Sequence, residues 1–167
     1  MKTDILPAYD KVNEIRELFS EYTKMLVENE SRFSAYLEKQ NYAAEVEDPT
    51  KKYAEPFGRL YVVYADGKLA GCIGLKKNDE KSCELKRLYV REEFRCKGIG
   101  KMLVEKIISD AKEIGYESIL LDTFPFLESA IRMYKRLGFY EIESYNGNPM
   151  DNLIYLKLDL SEGINKL

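Results

Sequence analysis

The chain has 167 residues, 45% of them hydrophobic and 33% charged, with a net charge of −3 and a pI near 5.3. This is a globular mix with room for one domain over residues 1–167, which excludes wholesale disorder and argues against a basic duplex-binding surface. Histidine is absent, so Ser-His-Asp and Cys-His catalysis are excluded and no metal is expected. Cys72, Cys83 and Cys96 follow no disulfide spacing and read as reduced thiols. No leader-like segment or membrane-length apolar run is visible, so a cytoplasmic protein is expected, with neither nucleic-acid nor membrane partners.

In chain order, residues 3–6 suit a short strand. Asp10 is placed to cap a helix in which Val12, Ile15, Leu18, Phe19, Tyr22 and Leu26 recur at helical spacing. Ser31 is placed to cap a shorter helix carrying Phe33, Tyr36 and Leu37. Residues 41–56, polar, acidic and closed at Pro56, read as a loop. Residues 59–64 and 68–75 read as a hairpin about the Asp66-Gly67 turn. Gly71 and Gly74 in its second strand suggest that something approaches the backbone closely. A charged connection leads to a third strand, residues 83–90.

Next comes Arg95-x-x-Gly98-x-Gly100, with Lys97 and Lys101 interleaved and an amphipathic helix following, closed by Gly115. Strand, glycine turn and helix in that order aim several backbone N–H groups and three cationic side chains at one point. A polyanion fits there, most naturally the pyrophosphate of a nucleotide-type cofactor. A dinucleotide fingerprint needs a small residue at Leu103, and a Walker A loop needs glycine at Arg95 and Ser or Thr at Met102, so both are rejected. Residues 118–122 form a buried-type strand. Leu127, Ala130, Ile131, Tyr134 and Leu137 then mark another helix, stopped by Gly138. Residues 139–142 and 153–158 read as strands joined by a turn-rich segment, 145–152. By itself Tyr134 is as well read as a core tyrosine. Two strands each followed by a helix, however, make a crevice at their carboxyl ends, where open sheets bind ligands.

The stretch Leu88-Tyr89-Val90 with Arg95-x-x-Gly98-x-Gly100, together with Ala130-x-x-x-Tyr134-x-x-x-Gly138-Phe139, resembles the GNAT superfamily of N-acetyltransferases over most of the chain. The resemblance implies a single α/β domain with a mixed, mostly antiparallel sheet of six to seven strands. Two central parallel strands splay into a V, and about four helices flank the sheet. Acetyl-CoA is the implied cosubstrate. Its pantetheine arm pairs with the main chain near Leu88, Tyr89 and Val90, and its pyrophosphate takes Arg95, Cys96, Lys97, Gly98, Ile99, Gly100 and Lys101. The family commonly has Asn where this chain has Leu127, so contacts there pass to Glu128, Ser129 or the backbone.

The implied reaction is direct attack of an amine on the thioester in a ternary complex. Tyr134 then supplies the proton to the leaving thiolate, and the Val90 amide steadies the oxyanion. Glu84 stands where many relatives carry a base, although a glutamate on a solvated strand edge is the equal alternative. An acidic, tyrosine-rich rim (Glu45, Glu47, Asp48, Glu55, Tyr36, Tyr42, Tyr53) in residues 31–58 suits a cationic amine, and the interspersed cations suit an amino acid or peptide with a carboxylate. A small-molecule amine is the leading acceptor. A protein N-acetyltransferase or a non-catalytic CoA-binding domain are the alternatives, and open edge strands leave room for a homodimer.

Overall fold

The computed structural model describes residues 1–39, 41–147, 150 and 152–160. The chain starts with β1 (Thr3–Pro7) and helix α1 (Val12–Asn29), followed by the shorter helices α2 (Phe33–Lys39), α3 (Tyr42–Glu47) and α4 (Pro49–Lys52). Strands β2 (Arg59–Ala65), β3 (Lys68–Lys77) and β4 (Ser82–Val90) form a meander. A 3-10 turn, Glu92–Phe94, leads into α5 (Ile99–Ile114), then β5 (Ser118–Thr123), α6 (Glu128–Arg136), β6 (Tyr140–Ile142) and β7 (Ile154–Asp159). Among the described residues the strands make one seven-stranded sheet, ordered β1-β2-β3-β4-β5-β7-β6. Only β4 and β5 run parallel.

The sheet is covered on both faces, and β2 shows why it reads as continuously apolar. Tyr61, Val63 and Ala65 join the core under α5, while Leu60 and Val62 join the core under α1. The helical spacing of α5 predicts one apolar face of Ile99, Leu103, Ile107, Ala111 and Ile114; the first four are fully buried and Ile114 is half-buried at the helix end. Each such aliphatic side chain contributes about 1.5–3 kcal/mol. Gly115 ends the helix at φ 109°, where a Cβ would be strained. The opposite layer is built on Ile15, Leu18 and Phe19 of α1.

Three local expectations are corrected. Asp10 does not cap α1: the capping position is Lys11, which makes no side-chain cap bond. At the start of α2 the Glu30 carboxylate, not Ser31, accepts the Arg32 N–H. Residues 41–56 are not simply loop, because α3 and α4 form there. Their order comes from distant partners: Arg16 of α1 donates to the carbonyls of Val46 and Glu47, and Glu45 is drawn into the interior by Arg87. No propensity signal in so short a segment outweighs those contacts.

The close approaches expected at Gly71 and Gly74 are made by the chain itself. A Cβ on Gly71 would lie 2.4 Å from the Tyr89 carbonyl oxygen, and one on Gly74 would lie 2.8 Å from the Tyr53 ring.

Candidate active site

The cleft exists because β4 and β5 pair only briefly. Ser82, Cys83 and Glu84 face Ser118, Ile119 and Leu120, and beyond that the strands separate. β5 stays with β7 along its whole length, whereas β4 stays with β3 as far as Val90 opposite Gly71. Strand β4 bends at a bulge: Lys86 faces Gly74 and Tyr89 faces Cys72, so β4 carries one residue more than β3 over that span. Arg87 takes up the extra residue at φ 59°.

The bulge also inverts the strand's alternation. Before it, Cys83 and Leu85 face the α5 side; after it, Leu88 and Val90 do. Glu84 and Lys86 therefore face the α1 side with Arg87 and Tyr89.

Arg87 is locked under the cleft floor. Its guanidinium donates to both Glu45 oxygens, at 2.7 and 2.9 Å, and lies 5.4 Å from the Tyr42 ring centroid. Lys52 and the Tyr53 hydroxyl also donate to Glu45. Burial opposes ionisation of Glu45, but the Arg87 and Lys52 cations outweigh it and hold the carboxyl at about 2. The predicted acidic rim is thus partly spent on the fold. Glu45 and Tyr53 are buried, and the Tyr42 hydroxyl, taking a bond from Thr23, donates to the Phe19 carbonyl. The side chain of Tyr36 lies outside the described residues.

Where the strands part, the main chain of β4 is exposed to the cleft. The Arg91 N–H bonds the Ala70 carbonyl, so by antiparallel alternation the N–H and C=O of Val90 point away from β3. Arg95 confirms the direction, donating from Nε to the Val90 carbonyl at 2.9 Å.

At the turn, Cys96 and Gly98 adopt φ of 62° and 82°, which aims the chain into α5. No side chain caps α5, and its first intrahelical bond at the capping residue runs from Met102 N–H to the Gly98 carbonyl. The N–H groups of Ile99, Gly100 and Lys101 are left for an outside acceptor, at the positive end of the helix. Gly100 is informative. A Cβ there would come no nearer than 3.9 Å to other side chains, so the fold does not demand glycine. Its absent side chain keeps the seat in front of those amides open.

The cations are not all available. Arg87 is neutralised by Glu45, and Arg91 by Glu17 and Glu21 of α1. Arg95, Lys97 and Lys101 remain at the turn.

The cleft holds about 800 Å³ and is bordered by Glu84, Leu88, Tyr89, Val90, Arg95, Cys96, Gly98, Ile99, Gly100, Lys101, Ser129 and Tyr134. Lys97 does not border it; its ammonium lies 5.9 Å from the Phe94 ring on the exposed side of the turn. Ile99 buries its side chain in the core, and the Tyr89 hydroxyl turns away to Glu21, so both meet the cleft chiefly through their main chains.

Glu84 is not on a solvated edge. It is buried on a central strand, its Oε2 accepts a 2.9 Å bond from the Tyr145 hydroxyl, and Lys76 stands 3.9 Å from its Oε1. Tyr134 is 5% exposed and its ring packs on Phe139. Its hydroxyl makes no hydrogen bond among the described residues, and burial pushes its pKa far above the usual phenol value. Leu127 borders the cleft as an apolar wall where the resemblance led one to look for an amide.

Tyr22, Met25, Lys86, Asp122, Phe126 and Met133 also border the cleft and were not singled out for it. Tyr22 belongs to the apolar stripe of α1, which packs on the sheet and reaches the cleft only because the strands part beneath it. No cluster of metal-ligating side chains is present among the described residues, and no described helix is long and apolar enough to cross a membrane.

These features coincide with what comparison finds. The pattern of the Acetyltransferase (GNAT) family matches residues 13–139. An uncharacterized N-acetyltransferase of Schizosaccharomyces pombe is 38% identical over 83% of this chain and 87% of its own length. The crystal structure of a GNAT-family acetyltransferase from Staphylococcus aureus Mu50 superposes with a TM-score of 0.75 at 23% identity, covering 95% of this chain and 99% of that one. The PaiA N-acetyltransferase of Thermoplasma acidophilum, solved in complex with coenzyme A, gives a TM-score of 0.72 at 20% identity, covering 95% and 99%. The chain belongs to the GNAT acetyltransferase family and is an acetyl-CoA-dependent N-acetyltransferase.

Proposed function

We propose that the protein moves an acetyl group from acetyl-CoA to the primary amine of a small molecule, by direct attack in a ternary complex. One observation carries this reading. The parting of β4 and β5 brings the Val90 main chain, the unclaimed amides of α5 and Tyr134, whose hydroxyl has no hydrogen-bond partner among the described residues, to the border of one cleft.

Acetyl-CoA supplies the activated acyl thioester. The amides of residues 98–101, with Arg95 and Lys101, hold the diphosphate, and the empty space at Gly100 admits it. The free β4 edge at Leu88, Tyr89 and Val90 takes the pantetheine arm as an added strand, with Ser129 flanking it, while Cys96 lies with the phosphates at the turn. A ligand that claims the Val90 carbonyl displaces Arg95 Nε and releases that guanidinium for the phosphates. Lys97, outside the cleft, contributes only long-range charge.

An alkyl ammonium has a pKa near 10 and must lose a proton before it attacks. Glu84, held by Tyr145, accepts that proton directly or through one water. The Val90 N–H donates to the oxygen on which negative charge develops. Tyr134, kept protonated by burial, donates to the departing thiolate. Three thiols, none paired in a disulfide, support a reducing cytoplasmic setting. The outer edges of β1 and β6 leave room for a homodimer.

The test is a panel of amines with acetyl-CoA, following release of free thiol, alongside calorimetric titration with coenzyme A. Binding with turnover of small amines supports the reading. Acetylated protein detected by mass spectrometry, with no small amine consumed, moves the acceptor to protein. No heat with coenzyme A overturns it.

A further inference from the structure

Lys86 is a cation that the mechanism above does not use. It borders the cleft from β4, on the same face as Glu84 and two residues beyond it. The other basic groups nearby are satisfied: Arg87 by Glu45, Lys52 by Glu45, and Lys76 leans toward Glu84. Lys86 has no hydrogen bond or ion pair among the described residues. The acids of its neighbourhood are engaged elsewhere, since Asp122 accepts from Asn146 and Glu84 from Tyr145. Burial above all, and then the Arg87 charge, lower its ammonium to about 8 against the opposing pull of Glu84 and Asp122. An ammonium so placed has no direct ion-pair partner among the described residues, and an anionic ligand would bring one.

Resting on the acetyltransferase reading, we infer that the acceptor is an amino acid or close derivative with a free carboxylate beside the reacting amine. Lys86 binds the carboxylate while Glu84 receives the ammonium. Side chains two apart on a strand are rooted roughly 6.6–6.8 Å from each other. An amine and a carboxylate on one carbon span that interval with a hydrogen bond at each end. A peptide N-terminus or a lysine side chain in a protein carries no carboxylate at that distance, so the pair also selects against protein acceptors. Lys86 is here a specificity residue, and the chemistry at the thioester does not pass through it.

The experiment uses matched acceptors: glycine with methylamine, alanine with ethylamine, and phenylalanine with phenethylamine and phenylalaninamide. Each is assayed with acetyl-CoA for the wild type, Lys86→Met and Lys86→Arg. The wild type should favour the carboxylate member of a pair by at least about 10-fold in kcat/KM, and Lys86→Met should erase about 10- to 100-fold of that, through KM. Lys86→Arg should keep part of the preference, and acetyl-CoA affinity by calorimetry should stay near the wild-type value in both variants.

Titrating N-acetylphenylalanine and N-acetylphenethylamine into the coenzyme A complex reads the same discrimination without turnover. Equal handling of amine and amino acid by the wild type, or a preference that survives in Lys86→Met, overturns the inference. A protein that binds coenzyme A and acetylates amines without regard to the carboxylate leaves the acetyltransferase reading standing. A protein that does not bind coenzyme A removes both.

Discussion

Replacing Gly100 with alanine should raise stability and lower cofactor affinity together. Gly100 lies in the first turn of α5, and the added Cβ would meet Met133 Sδ and Val90 Cγ2 only at 3.9 Å, an ordinary contact. Alanine is better than glycine inside a helix by about 0.5–1 kcal/mol. For a domain of this size that raises the midpoint of thermal unfolding by about 1–4 °C. The methyl group, however, fills the seat in front of the Ile99, Gly100 and Lys101 amides. A charge-assisted bond lost there costs about 1.5–3 kcal/mol, or roughly 10- to 150-fold in the dissociation constant for coenzyme A. Thermal unfolding without ligand and calorimetric titration with coenzyme A measure the two effects separately. Affinity within twofold of the wild type would show that the phosphates do not lie over Gly100. Gly98→Ala is the contrast: nothing crowds its Cβ, but φ of 82° penalises it, so it should lose about 1 kcal/mol of stability.

Tyr134→Phe should lower kcat at least about tenfold with little change in acetyl-CoA affinity, because in the proposed mechanism the hydroxyl acts only as sulfur leaves; wild-type turnover would remove it from the mechanism. Glu45 should make the protein acid-sensitive. Its folded pKa of about 2 lies below the ordinary 4.5, so its stabilisation is complete above pH 4.5 and is lost as pH falls toward 2. The shift corresponds to on the order of 3 kcal/mol. Glu45→Gln should flatten urea-unfolding midpoints in that window and destabilise by about 3–5 kcal/mol near neutrality, because Arg87 is left buried without its partner; an unchanged pH profile would contradict this. Gly71→Ala, which drives a Cβ to 2.4 Å from the Tyr89 carbonyl, should cost about 2 kcal/mol or more, whereas an unaffected unfolding midpoint would show that β3 and β4 yield freely there.

Sequence by itself determined the elements whose signals are local. The stripe on α5, the Asp66-Gly67 hairpin and the glycine turn at Gly98 depend on periodicity and backbone sterics, which neighbouring residues fix without help. The cleft residues within 88–101, Lys97 excepted, were legible for the same reason, since a strand, a turn and a helix in succession place that stretch together. Tertiary structure alone decided what each cation does. Arg87, Arg91 and Arg95 look alike in the sequence, yet Glu45, Glu17 and Glu21 arrive from far along the chain to neutralise the first two. It also decided that helices α3 and α4 form within residues 42–52, that Glu84 is buried beside Tyr145, and that Lys86 has no hydrogen bond or ion pair among the described residues. These depend on a bulge in β4 and on strands that separate after three pairs, and long-range contacts of that kind leave no periodic trace in the residues they govern.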